Sequence, residues 1–551
     1  MTRMKKYSLA LPALLILLCI ILVACDSPTS DVPADTTLES VTDIPTEVPT
    51  ETPSEETTEE ATAEAPTEAP TEAPLEPETE PEVTVSTRNP RDVIHSLSDD
   101  KAIISVSTVT KQASLTDVDL AAVKAAFLEH GYAVVPSSPV PGTKLETVVL
   151  KGSAHYVTLM QTVDGPLHVL WENVDSVSVT PLLENGNPSD QPMTMVQIGI
   201  ARETEDDNPM IGMCYVYRLD DGSAVIIDGG VNNESCAKNI FDTLNKMDIA
   251  KDESGKYRIN AWIFSHGHGD HYGAFKKFSS LYADKTDVAY FLYSFPVNDL
   301  APGGANAESF ATTIRKAYPN AQRIVPHAGL TYRFENLKVH VLYAPELLYT
   351  TQTVDYYNNT SLILRLEVGG QSIFHMGDAG EMASEAAWNQ NNAEAFKSTA
   401  LQITHHGLYT GPDSHTWKFM KKVYTAVEAE IGLLPMGTRN PTSTRNGRHT
   451  VLVGWGNAGY QVSFVVNRKD NRNGASDEQA YFDQFVADIA AGKADRETLF
   501  GYNGINLVTN RDGMITYINA SETEPMATVF TLSPEGLSMV SNETLAAWLG
   551  R

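Results

Sequence analysis

The sequence predicts an α+β protein of more than one folded unit, carried behind a leader and a long polar tract. Three features lead there. Short β-type apolar runs alternate with helix-period segments from about residue 91 onward. Residues 26–90 are dominated by Thr, Glu, Pro and Ala and hold almost nothing to bury. Ahead of them, Lys5 and Lys6 precede an apolar run from Leu9 to Val23. At 551 residues the chain is too long for one hydrophobic core.

The leader comes first. A basic start, an apolar stretch and a small-residue end describe a secretory signal over residues 1–25. Its close, Leu22-Val23-Ala24-Cys25, is similar to a bacterial lipobox, in which the Cys is acylated and becomes the new N-terminus. An uncleaved anchor helix is the competing reading. Either places the body at the extracellular face of the bacterial cell membrane, held there through a lipid on Cys25 or through the helix itself. Residues 26–90 carry 18 acids against Arg88 alone, and T-E-A-P recurs at Thr67 and Thr71. Like-charge repulsion and Pro keep such a tract extended and disordered, a spacer rather than a site. Of the formal net charge of −30, this tract supplies −17, so the body is only moderately acidic. An acidic body has no electrostatic footprint for long nucleic acid, which is not the favoured partner.

Residues 91–190 read as a small α+β domain. Ile103–Val109 alternates as a strand, and Thr116-x-x-Asp119 is a candidate capping box for a helix burying Leu120, Val123 and Phe127. Strand patterns follow at 145–150, 155–162, 167–171 and 174–180. No chemistry is legible in this unit. The remaining residues, 191–551, are where chemistry gathers. Cys214 and Cys236 are expected as small buried thiols rather than a disulfide.

Within the second unit each apolar strand ends in a carboxylate or an imidazole. Ser223–Ile227 ends in Asp228-Gly229-Gly230, and Trp262-Ile263-Phe264 ends in His266, His268, Asp270 and His271. Ser372–Met376 ends in Gly377-Asp378, and Leu401–Thr404 ends in His405-His406. Imidazole and carboxylate are the ligands that divalent zinc, iron or manganese accept. The stretch at 266–271 is expected to be a tight loop, bent at Gly267 and Gly269. Three His and one Asp within six positions behind a strand seldom arise by chance.

H-x-H-x-D-H behind an apolar strand is the signature of the metallo-β-lactamase-fold hydrolases, and most of residues 193 to about 518 resembles that family. N-N-x-S-L-x-L before Gly377-Asp378 and H-H-G after it are similar to the ComEC-like subgroup and to the phosphorylcholine esterase of pneumococcal surfaces. The resemblance implies an αββα sandwich with a helical insertion near 476–499. It also implies two divalent cations, zinc first and manganese or iron as alternatives. Their ligands would be His266, His268, Asp270, His271, Asp378 as the bridge, and His405 or His406. Asp228 would orient the loop without touching metal. Asp270 would also orient the nucleophile, and His406 is a candidate proton donor or phosphate-binding group, the choice between the paired His left open. Asn359 and Ser361 lie in the motif before the bridging Asp. His449, near Arg445 and Arg448, is a candidate for an anionic substrate. Many members carry a further His ligand before the bridging Asp; His327 is the weak candidate here, and His340 and His375 read as structural.

The implied activity is hydrolysis by a metal-bound hydroxide, on a phosphodiester small molecule or a cell-wall polymer. A lactone, lactam or thioester hydrolase on the same fold, and a non-catalytic surface-binding protein, are the alternatives. Fold alone does not choose among them.

Overall fold

A computed structural model of the chain describes residues 83, 85–97, 103–107, 111–175, 177, 192–201, 212–296, 307–346, 357–407, 418–435, 448–455, 460–467, 505–507, 515–518 and 525–551. The leader, Cys25, most of the Thr/Glu/Pro tract and the expected insertion at 476–499 lie outside them.

Two eight-stranded sheets face each other. The first runs, by neighbour, through Gln322–Ile324, Thr286–Leu292, Tyr257–Ile263, Ala224–Asp228, Cys214–Arg218, Met193–Ile198, Met526–Ser533 and Gly536–Thr544. The second begins at Ile515–Ile518 and runs through Ile431–Leu434, Ala400–Gln402, Gln371–His375, Ile363–Val368, Leu337–Tyr343 and Leu330–Phe334 to Ser138–Pro139. Between them lies one core, with Tyr215, Val225, Ile227, Ala261 and Ile263 meeting Tyr332, Val339, Leu364 and Ile373. Helices Glu234–Lys246, Gly269–Tyr282 and Ala307–Ala317 cover the outer face of the first sheet, burying Ile240, Phe275 and Phe310 against Ile226 and Trp262. Helices Glu381–Gln390 and Lys418–Val427 cover the second sheet through Ala383, Ala387 and Val423. The result is the expected four-layer sandwich. Strands buried on both faces read as unbroken apolar runs, which is why Ala224–Asp228 shows no alternation.

One irregularity matters for the site. Ala224 pairs with Ile259 but Val225 pairs with Ala261, so Asn260 is an extra residue in the ladder. The bulge swaps the faces of everything after it. Trp262 thereby packs outward under the helices while Ala261 and Ile263 enter the central core.

The small unit forms a six-stranded antiparallel sheet whose two helices, Pro90–Ser96 and Leu120–Glu129, bury Ile94, Val123 and Phe127 on one face. Its other face, through Val149, Met160 and Leu170, joins the core of the sandwich. Contacts to it begin at Thr87, which bonds Ser153 at 3.0 Å. Asp119 alone caps the second helix, accepting from Ala121 N–H at 3.0 Å; the expected capping box at Thr116 does not form. The strand expected at 174–180 is also absent where described, since Asp175 lies in a turn after a strand that ends at Asn173. Cys214 and Cys236 are buried and unbridged, as expected. At the far end, Ile505–Leu507 pairs with Tyr460–Asn467 in a separate three-stranded sheet with Arg448–Trp455, while Ile515–Ile518 closes the second sheet. No helix among the described residues is long and apolar enough to cross a membrane.

Candidate metal centre

The site is assembled where strand ends from both sheets converge. Tyr257–Ile263 delivers Ser265, His266 and His268, and the helix Gly269–Tyr282 starts at once behind them. Asp270 and His271 therefore stand on the first helical turn, not on the expected loop. Gly269 is helical, and a Cβ there would meet nothing within 4 Å, so it is not a bend the chain requires. The glycine that matters is Gly377. Its φ is +53°, and an added Cβ would come within 2.7 Å of Ser265 Cβ.

Two buried acceptors orient two imidazoles. Asp228, itself at φ +54°, takes Ser265 N–H at 2.8 Å, Ser265 Oγ–H at 2.7 Å and His271 Nδ1–H at 2.7 Å. His406 Nδ1–H donates to the Pro435 carbonyl at 2.7 Å. Carboxylate and carbonyl only accept here, so both Nδ1 atoms carry a proton, and each Nε2 is the atom left to meet a cation, a metal ion or in its absence a proton. Those Nε2 atoms face each other at 3.2 Å. Asp378 Oδ1 lies 3.2 Å from His271 Nε2 and 3.5 Å from His406 Nε2, and Asp270 Oδ2 lies 3.2 Å from His406 Nε2. Four buried or half-buried electron-pair donors this close repel unless a cation sits between them.

Asp270, His271, Asp378 and His406 form one group whose ligand atoms all lie within 4.8 Å of one another; His266, His268 and Asp378 form a second. A tetrahedral ion with bonds of 2.0–2.1 Å holds its ligands about 3.3 Å apart. Four separations in the first group, 3.2 to 3.5 Å, fit that figure, while His271 Nε2 and Asp270 Oδ2 stand wider, at 4.0 Å. In the second, His266 Nε2 is 3.1 Å from His268 Nδ1 and 3.7 Å from Asp378 Oδ2. His266 Nδ1 lies 3.1 Å from Ser265 Oγ, whose own proton goes to Asp228, so Nε2 is again the atom left to meet a cation. Asp378 Oδ1 is buried with no hydrogen bond among the described residues. The donor set fits two divalent cations sharing Asp378.

The electrostatics of the metal-free residues report the same crowding. Burial works against charge on His271, yet Asp378, Asp228 and Asp270 raise it well above the usual imidazole range. His406 is likewise pushed up to about 9 against its burial, by Asp378 and Asp270. His266 goes the other way, lowered by burial and by His271. Burial would raise the carboxyls of Asp270 and Asp378, but the neighbouring imidazoles hold both well below the ordinary value. Without metal, protons take the place of the cation.

The paired His separate cleanly. His406 belongs to the first group, whereas His405 Nε2 points to the other oxygen, 3.9 Å from Asp378 Oδ2. Both have left-handed backbones, φ +48° and +55°, a strained run for non-glycine residues. It is held from several sides. Thr404 Oγ1 donates to Gly377 and Ala379 carbonyls, Tyr424 Oη accepts Thr404 N–H, and His405 N–H donates to the Gly377 carbonyl.

Asn359 and Ser361 act as framework. Asn359 Oδ1 accepts Ala383 N–H at 3.2 Å, and Ser361 Oγ accepts Asp378 N–H at 3.0 Å. His327 is not brought into either group; its Nδ1 is 2.9 Å from Glu346 Oε1. His340 pairs with Thr331, and His375 Nε2 with Tyr217 Oη at 2.7 Å. His449 stands on the strand Arg448–Trp455, and its side chain is outside the described residues. Two contributors, Ser265 and Gln402, escaped the sequence reading, and Asn358 entered it only as the first residue of the motif before the bridging Asp. Ser265 is the hub joining Asp228 to His266, and it directly precedes the motif. Gln402, which bonds Met376 N–H and the Gly377 carbonyl, carried no signal beyond its neighbours, and Asn358, the first residue of the N-N-x-S-L-x-L motif, lies beside His405.

Residues 207–347 match the model described as "Metallo-beta-lactamase superfamily", and the chain carries a domain of that superfamily. No curated protein is similar to the chain. Among solved structures, a diphosphatase from the PhnP family is 12% identical over 44% of this chain and 85% of its own, with a TM-score of 0.27. Zinc-bound PqqB from Methylobacterium extorquens is 11% identical over 41% and 76%, also at 0.27. The CmlA beta-hydroxylase is 13% identical over 43% and 48%, again at 0.27.

Proposed function

We propose that this chain is a metal-dependent phosphodiester hydrolase held at the extracellular face of a bacterial membrane through a lipid on Cys25. The observation that carries hydrolysis is the pair of ligand groups sharing Asp378, one of them with two imidazoles whose Nδ1 bonds turn Nε2 toward the shared carboxylate. Two divalent cations there, zinc foremost, supply an acidified water and a Lewis acid for the oxygen of the bond under attack. The protein's own residues prepare that chemistry. Asp228 and the Pro435 carbonyl orient His271 and His406, burial keeps competing water from the ligands, and Asp270, 18% exposed, is the acid nearest to solvent and to an incoming substrate.

Phosphorus is favoured over carbonyl substrates by the ComEC-like dress of the Asn358–Leu364 and His405–Gly407 motifs. The modest acidity of the body favours a small or wall-linked diester over long nucleic acid. In this reading residues 1–25 are the signal, 26–90 a spacer, 91–190 a supporting unit and 191–551 the hydrolase. The test is hydrolysis of bis-p-nitrophenyl phosphate by the full chain loaded with zinc or manganese, compared with Asp378→Ala. Turnover lost in the variant supports the proposal. Turnover of lactones, lactams or thioesters without phosphodiester turnover overturns the substrate; no activity and no bound metal make the domain a binding module.

A further inference from the structure

The two ligand groups are unequally furnished. Around Asp378 Oδ1 stand His271, His406 and Asp270. Around Asp378 Oδ2 stand His266 and, further off, His405, with His268 beside His266. Two imidazoles and a shared carboxylate supply only three ligands, so an ion that can expand from four to five partners has room for a weak protein oxygen as well as the reacting water. Asn358 stands beside His405, the imidazole on the Asp378 Oδ2 side, and its chain neighbour Tyr357 lies against the His268 ring. Asn358 opens the short 3-10 turn Asn358–Thr360, is 3% exposed, and its Nδ2 lies 3.3 Å from His405 Nε2. Its Oδ1 is buried with no hydrogen-bond partner among the described residues. A buried carboxamide oxygen without a donor costs about 1–3 kcal/mol unless something electropositive meets it. Among the described residues the neighbouring framework is held by others, Asn359 bonding Ala383 and Ser361 bonding Asp378.

We propose that Asn358 completes the His266–His268–Asp378 position through its carboxamide oxygen, in the place where a further imidazole would stand. The inference rests on the two-cation reading of the site. A neutral oxygen is a weaker partner for zinc than an imidazole, so the second position binds its ion less tightly than the first and releases it more readily.

Titration of the chelator-stripped full-length chain with zinc, read by calorimetry, resolves the two steps without any substrate. Asn358→Leu is expected to weaken the second step by at least tenfold while the first stays within twofold. Asn358→Asp and Asn358→His are expected to tighten the second step by tenfold or more, and these carry the test if the Leu variant does not fold. His405→Gln is expected to leave the second step within threefold. Unchanged steps in Asn358→Leu, weakening of both steps together, no tightening in the Asp and His variants, or an equal effect from His405→Gln would overturn the proposal. A wild-type chain that takes up no zinc sinks the two-cation reading itself, a different failure.

Discussion

The two halves of the centre share one carboxylate yet are built by different rules. The half around His271 and His406 draws its groups from Asp228, Asp270, Asp378 and Pro435, so every imidazole proton has a strong acceptor. The half around His266 and His268 draws two ligands from one short stretch and leans on a hydroxyl, Ser265, with the carboxamide of Asn358 proposed to complete it. The first is over-determined and charge-rich, the second lean and largely neutral. Ligand charge and orientation set affinity, so the same metal is expected to be held tightly on one side and loosely on the other.

The largest break in this comparison is Asp378→Ala, which removes the shared carboxylate from both halves. Loss of several kcal/mol of charge stabilisation predicts a fall in kcat/KM of about a thousandfold, with metal content dropping below one ion per chain. Retention of two ions would refute the bridge. Next, Asp228→Asn keeps shape but no longer accepts a charge-assisted bond from His271. The first zinc step is expected to weaken by about 10–100-fold while the second moves little. Equal losses in both steps would erase the distinction between the halves.

A smaller effect lies beneath both. His375 sits fully buried between the sheets, its ring against Tyr215 and its Nε2 on Tyr217, and burial alone lowers it to about 3. In the unfolded chain it titrates at its ordinary 6.5. Between those values the unfolded state binds the extra proton, so this group's contribution is whole above pH 6.5 and is lost as pH falls towards 3. From pH 7 to pH 5 wild type should lose about 2 kcal/mol more unfolding free energy than His375→Phe. Denaturant melts at the two pH values measure it, and parallel losses would show that His375 does not carry the acid sensitivity of the floor.

How much of this was legible depends on what kind of fact each piece is. His266, His268, Asp270 and His271 lie within six positions, so local pattern exposed them. Asp378 and His406 were reachable because apolar strands ended in them, and the αββα layering followed from resemblance. Local pattern was weaker where two readings compete over one or two residues. Thr116 looked like a cap because its spacing was right, but Asp119 sits next to the first helical residue and takes Ala121 N–H itself. The loop at 266–271 was misread because Gly269 suggested a bend, whereas the helix begins there and needs no side chain to do so.

By itself, the sequence determined the inventory: which strands are buried, which residues bring imidazole and carboxylate to their ends, and that these suit divalent metal. Such facts are local, written in periodicity and residue type. Only the tertiary structure grouped His406 rather than His405 with Asp270, His271 and Asp378, set His327 against Glu346, and put Ser265 between Asp228 and His266. Those outcomes hang on backbone turns and on partners up to a hundred or more residues away, such as Pro435 for His406 and Asp378 for His271. A one-residue bulge at Asn260, invisible in the hydrophobic pattern, settles which face the strand before the motif presents.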